Sequence, residues 1–413
     1  MIKEEINPVV RKEQWKMLFL TMFCYLFFYT GRHNFGWATK GMTVELGINF
    51  EQIGWISFSM LLGYALGQFI NGNLADRFSP KFMILTGGFL SVLCNVAISF
   101  SSSYWVILVL WTFNGYFQSM AWGAGGRIIS NWWQASERGK AFGFYTMAAG
   151  SSSVLTFFLA MLLVHQDESW RSLFRYPVIF LFFALIVFMI FAYSHPKLKG
   201  FQLDDEESLK QEKLNWSESY LKVFKNKNFM LACCAIGFQS MARYGLIFWA
   251  PIHFLGTDYK TTTNNLWISL FIPIGMAIGA LMFGILSDSL FKGKRNYSIA
   301  VGMLLSCTIS IVIYFTETHN LILVSILMFL VGFFVYGVQS NFWTFSPDLL
   351  GNKLVGTGIG VMNMFAYVFA AIGEPIFGKV LDISKDSSIL FLMVSVICLF
   401  CSLIVTQVKT NKN

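Results

Sequence analysis

Runs of about twenty apolar residues, one after another with short polar loops between them, leave this chain few ways to fold. As a helix rising ~1.5 Å per residue, each run is long enough to cross a hydrocarbon layer ~30 Å thick. In such a layer backbone N–H and C=O groups are satisfied only within helices or closed barrels, and runs this long specify helices. The runs give twelve spans, near residues 15–38, 53–74, 82–100, 105–127, 139–164, 174–193, 229–254, 266–287, 296–315, 321–345, 356–381 and 388–408. Only 13% of the 413 residues are charged, against about 25% in soluble domains. The expectation is an all-α membrane protein with twelve transmembrane helices.

The charges then orient the spans. Lys3, Arg11, Lys12 and Lys16 precede or open span one; Arg77 and Lys81 follow span two, and Arg138 and Lys140 follow span four. Lys292, Lys294 and Arg295 follow span eight, and Lys409 and Lys412 end the chain. The alternate loops, such as Ser101–Ser103, carry almost no positive charge, so both termini are expected on the cytoplasmic side of a multi-pass protein, most simply in a bacterial inner membrane. The net charge of +8 is therefore read as topology and not as a nucleic-acid patch. Residues 194–228 are the one soluble-looking stretch, with Leu221 and Phe224 interleaved among lysines and acids. That pattern suits a short amphipathic helix on the membrane surface. It separates residues 1–193 from residues 229–413, two stretches of six spans each. All seven cysteines lie inside apolar spans, where they read as small apolar residues; no metal site, disulfide framework or cofactor is expected.

Two arginines break the apolar pattern. Arg32 lies inside span one, about 24 Å along a helix from Lys16, too deep to reach either surface easily. Arg243 lies about 21 Å from Phe229 in span seven, the corresponding helix of the second stretch. A guanidinium at such depth costs roughly 2.5–3.5 kcal/mol on insertion scales, and tolerated ones usually line a cavity or pathway. A fork of always-charged donors suits an oxyanion such as phosphate or carboxylate. On one continuous helix, Tyr25 and Tyr29 would share the face of Arg32.

The two stretches also repeat. Gly72-Asn73-Leu74-Ala75-Asp76 follows span two, Gly284-Ile285-Leu286-Ser287-Asp288 follows span eight, and basic residues come after each. This loop motif resembles the signature of the major facilitator superfamily, which implies two pseudo-symmetric six-helix halves rocking about a midplane site. Longer strings narrow the resemblance. Tyr29-Thr30-Gly31-Arg32-His33-Asn34-Phe35, Arg243-Tyr244-Gly245 with Trp249-Ala250-Pro251, and Gly126-Arg127 with Trp132-Trp133 to Gly139 look like the organophosphate:phosphate antiporters. That is the family of the bacterial glycerol-phosphate and hexose-phosphate transporters.

The resemblance implies that Arg32 and Arg243 grip a phosphate and that inorganic phosphate leaving one side drives organophosphate entry from the other. It also places Gln118, Trp122, Tyr25, Tyr29, Tyr336 and Tyr367 at or near the pocket. Asp76, Asp288 and Arg127 would act in gating. The chain departs from the glycerol-phosphate transporter, which has a lysine where Gln68 stands, a histidine at Ala149 and acids at Phe248 and Pro273. The arginine pair is kept while the titratable helpers are gone.

The expected function is secondary active transport of a small organic anion by a monomer in membrane lipid, with inorganic phosphate or protons as counter-ion and no nucleic-acid partner. Organophosphate/phosphate exchange is the first reading. The rivals are proton-coupled transport of a carboxylate-rich anion, with Glu374 before Pro375 as the coupling acid, and a transporter-like membrane sensor. No nucleophile–base pair points to an enzyme.

Overall fold

The computed structural model describes residues 7–74, 78–133, 135–165, 169–201, 216–254, 263–292, 294–316, 320–351 and 354–409. Among these residues the protein is entirely helical. Ten helices are long and apolar enough to cross a membrane. The remaining two spans are α5 (Tyr104–Trp132) and a broken first span, α1 (Pro8–Phe28) followed by α2 (Phe35–Leu46). Large apolar side chains such as Leu93, Phe183 and Ile285 are exposed on the outer surface, as lipid contact requires.

The order continues with α3 (Phe50–Leu74), α4 (Pro80–Phe100), α6 (Ala135–His165), α7 (Ser172–Phe191), α8 (Trp216–Lys225) and α9 (Lys227–Phe254). Then come α10 (Phe271–Ser289), α11 (Arg295–Phe315), α12 (Leu321–Gly337), the short α13 (Gln339–Phe342) and α14 (Phe345–Leu350), α15 (Val355–Ser384) and α16 (Ile389–Thr406). The short α8 leaves Leu221 and Phe224 exposed and buries Val223.

The first span is not the continuous helix expected from its sequence. A 3₁₀ turn at Tyr29–Gly31 ends α1, and Arg32 takes φ −136°, outside the helical region. The face argument linking Tyr25, Tyr29 and Arg32 on one helix therefore fails, although Tyr29 and Arg32 still meet. A break in a membrane helix frees carbonyls that must find donors. Here amides from neighbouring helices supply them. Gln118 Nε2 donates to Phe28 O at 2.8 Å. Asn114 Nδ2 and Asn95 Nδ2 donate to Gly31 O at 2.9 and 3.1 Å. Asn34 Nδ2 donates to Leu173 O of α7 at 2.8 Å. Three amides on α4 and α5, with that of Asn34 in the break itself, thus fix one turn of backbone.

Contact between the N-terminal and C-terminal helices is closest on the membrane face away from the termini. A Cβ on Gly36 of α2 would meet the Phe248 carbonyl of α9, and one on Gly54 of α3 would meet the backbone of Glu374 and Pro375. At the start of α3, Asn49 and Gln52 exchange backbone-to-side-chain bonds of 3.0 and 2.8 Å in a capping box. The first N–H groups of that helix, from Phe50 and Glu51, go instead to the Asp382 carboxylate of α15, at 3.0 and 2.7 Å. This face is closed.

Removing a single amide tests the break. Gln118→Met leaves Phe28 O in an apolar interior without its donor and is expected to cost about 1–3 kcal/mol. The check is a lowered thermal unfolding temperature in detergent; an unchanged temperature would show that the amide does not secure the turn.

Candidate functional site

The break in the first span directs Arg32 inward, and Arg243 comes from the middle of α9 opposite it. Both are almost fully buried, at 1% and 7% exposure. Neither makes an ion pair among the described residues. Aromatic faces surround them instead. The Arg32 guanidinium lies 4.2 Å from the Tyr29 ring centre and 4.8 Å from that of Tyr64. The Arg243 guanidinium lies 4.4 Å from Tyr244 and 5.2 Å from Tyr336. Tyr367 of α15 joins the two groups, its ring centre 4.3 Å from Tyr64 and 5.7 Å from Tyr244. Five tyrosines from five helical segments thus enclose two cations. Each desolvated contact of this kind contributes up to about 2 kcal/mol, less than a carboxylate partner would.

Among the described residues the two guanidiniums make one side-chain hydrogen bond, from Arg243 Nη1 to Gln339 Oε1 at 3.0 Å. Arg32 Nε and Nη1 and Arg243 Nε are buried without an acceptor. Unused N–H donors on buried cations favour a ligand with negatively charged oxygens.

Beside this cluster is a cavity of about 250 Å³, lined by Arg243, Tyr25, Tyr29, Trp122, Tyr336 and Tyr367 together with Tyr64, Gln339, Trp343 and Asn363. It is smaller than most drug-sized pockets, whose volumes run from ~300 Å³ upward, and suits a compact anion. Tyr25 precedes the break, and Ile359 lies near the start of α15, so the cavity extends from mid-membrane toward the face carrying the termini. The closed contacts at Gly36 and Gly54 lie beyond it on the other side.

Six of the sequence-derived residues therefore meet at one cavity: Arg243, Tyr25, Tyr29, Trp122, Tyr336 and Tyr367. Arg32 stands one layer behind it, screened by Tyr29 and Tyr64. Gln118 is buried and outside the lining, its amide on Phe28 O and on Ser91 Oγ at 2.9 Å. Glu374 is also outside it. It is fully buried on α15, where its Oε2 accepts from Trp249 Nε1 of α9 at 2.8 Å. Arg127 lies exposed toward the terminal face of α5; at that face Glu137 of α6 binds Arg11 of α1 at 2.5 and 3.0 Å. Asp288 falls in the last turn of α10, and Asp76 lies outside the described residues. Tyr64, Tyr244, Gln339 and His33 were not singled out for the site from sequence. Tyrosines among 44 phenylalanines and 13 tryptophans carry no periodic signal, and only the packing separates the cavity ring from the lipid belt.

Residues 21–374 match the Major Facilitator Superfamily. The chain belongs to that superfamily. Curated relatives span nearly the whole chain. The phosphoglycerate transporter protein of Salmonella typhimurium is 28% identical, over 97% of this chain and 90% of that one. A probable hexose phosphate transport protein of Chlamydia muridarum is 27% identical, over 92% and 88%. Among solved structures, an inward-facing, unoccupied bacterial homologue of the human lysosomal transporter Spinster superposes with TM-score 0.76 at 13% identity, over 97% and 96% of the two chains. That likeness supports the fold. Membrane sensor proteins are related as well, among them UhpC of Escherichia coli, 24% identical over 92% of this chain and 89% of that one. This chain is thus a multi-pass facilitator protein whose relatives are transporters and such sensors, not enzymes.

Lysine substitutions test the cations, because lysine keeps the charge but loses the planar fork. Arg243→Lys and Arg32→Lys are each expected to lower anion affinity by about 1.5–3 kcal/mol, roughly ten- to hundredfold. Ligand-induced thermal stabilisation of purified protein measures this, and full retention in both variants would remove the arginines from the site.

Proposed function

We propose that the protein exchanges a small organophosphate for inorganic phosphate, with Arg243 and Arg32 as the anion-binding pair. The observation that carries this reading is two buried guanidiniums with unpartnered N–H groups and no acidic partner among the described residues, beside a compact cavity. A phosphoryl group supplies several charged oxygens to such donors. The organophosphate carriers among the relatives, and the family strings around Arg32 and Arg243, support the same substrate class.

On this reading residues 1–193 and 229–413 are the two rocking halves, joined by residues 194–228, in a bacterial inner membrane with both termini cytoplasmic. The positive loops support that orientation. The cavity then faces the cytoplasm. A bound phosphate draws the α9 side toward the α1–α2 break, and the Tyr29 ring turns aside to admit Arg32. Arg32 so contributes more in the occluded state than in the open one. Transport needs a ligand with different contacts in its two states, and this arrangement provides them. Exchange follows because two unpaired buried cations resist closing without an anion between them. Asp382 and the close packing at Gly54 and Gly36 hold the outer face shut until then, and Asp76, Asp288 and Arg127 serve the inner face in the same way.

Counterflow in proteoliposomes tests the proposal. Labelled glycerol 3-phosphate, 3-phosphoglycerate and hexose phosphate are offered outside, with or without phosphate inside. Uptake that requires internal phosphate and persists in Glu374→Gln is expected, since the amide oxygen can still accept from Trp249. Carboxylate uptake driven by a proton gradient and lost in Glu374→Gln would instead make the protein proton-coupled. Binding without uptake would make it a sensor.

A further inference from the structure

A small side pocket opens from the main cavity between α6, α9 and the break in the first span, and His33 forms part of its wall. His33 is 2% exposed, and its ring stacks edge-on against Tyr29 at 4.7 Å. Its Nδ1 is 3.0 Å from Ser153 Oγ of α6, while its Nε2 is buried without a partner. Arg243, whose Nε is also unpartnered, lines the same pocket and the main cavity, as do Tyr29, Tyr336 and Ala149. The broken helix brings this residue, next to Arg32 in the chain, to the pocket wall.

The chemistry of this corner is specific. The free volume is about 10 Å³, roughly one water-sized group, too small for a sugar ring or a second phosphoryl group. None of its lining residues is acidic. Arginine Nε can only donate. In the tautomer whose Nδ1 accepts from the Ser153 hydroxyl, the imidazole proton sits on Nε2 and His33 is a second donor. Two unpartnered N–H donors on residues that line a space of that size suit one oxygen of a negatively charged acceptor. We propose that this pocket is a second anion subsite, which takes one carboxylate oxygen of a short phosphorylated carboxylic acid while the phosphoryl group occupies the main cavity. Arg243, shared by both compartments, bridges the two ends, and His33 is the residue that distinguishes a carboxylate from a hydroxymethyl group.

The inference rests on the exchange reading, and one pair of competitors separates them. 3-Phosphoglycerate and glycerol 3-phosphate share a three-carbon chain and a phosphoryl group, and differ in having a carboxylate or a hydroxymethyl end. Each competes with labelled phosphate uptake into phosphate-loaded proteoliposomes, and the ratio of their inhibition constants is the readout. That ratio cancels differences in the fraction of active protein. The wild type is expected to favour 3-phosphoglycerate by about tenfold or more, the size of one hydrogen bond to a charged group. His33→Phe, which keeps the ring and removes both nitrogens, is expected to bring the ratio near one. Ser153→Ala, which releases Nδ1, is expected to lower it part of the way. A variant without measurable uptake is read by the thermal stabilisation that each compound gives in detergent. Phosphate exchange with no preference for the carboxylate, or with a preference that neither variant changes, overturns the subsite alone. Absence of phosphate exchange in the wild type overturns the exchange reading and the subsite with it.

Discussion

Two positive charges are held deep in an apolar bundle with no carboxylate among the described residues to neutralise them, and much of the structure serves to make that tolerable. An uncompensated ion in a low-dielectric interior is costly. The protein lowers the cost with the π faces of Tyr29, Tyr64, Tyr244 and Tyr336 and with one amide oxygen, from Gln339. These contacts are weaker than ion pairs, so the cations remain available to an anion. An aspartate at the same place would stabilise the empty protein further and would compete with the substrate.

The broken first span is the second half of that arrangement. A straight helix would present Arg32 from its flank. The 3₁₀ turn and the extended φ at Arg32 instead carry the chain around a corner, so that His33, Asn34 and Arg32 leave it in different directions. The stranded carbonyls are recovered by Asn95, Asn114 and Gln118, which are therefore part of the scaffold that aims the site. The amides on α4 and α5 and the arginine on the first span form one unit, since a change in the turn moves the guanidinium. Beyond the break, bare glycine contacts let α2 and α3 approach α9 and α15 closely enough to shut one face.

Much of this was legible in the chain. The apolar runs gave the helical class and the number of spans, because the bilayer thickness converts directly into residue count. Arg32 and Arg243 were conspicuous for the same reason, charge at a depth where charge is expensive. Trp122, Tyr336 and Tyr367 followed from family strings and do line the cavity, whereas Gln118 from the same source faces the backbone of the broken turn. Glu374 was visible as an acid in a span, but its Trp249 partner, 125 residues away, was not. A hydrogen bond of that range leaves no periodic trace.

The sequence by itself determined that the protein is a twelve-span helical membrane protein with a cation in the first helix of each stretch. These properties depend on local composition and on a fixed solvent thickness. The tertiary structure decided which aromatic groups face the cations, that Arg32 lies behind Tyr29 and Tyr64 while Arg243 lines the cavity, and that His33 turns toward Ser153. Those depend on where a helix breaks. The break is stabilised by amides on other helices, so no stretch of local sequence specifies it alone.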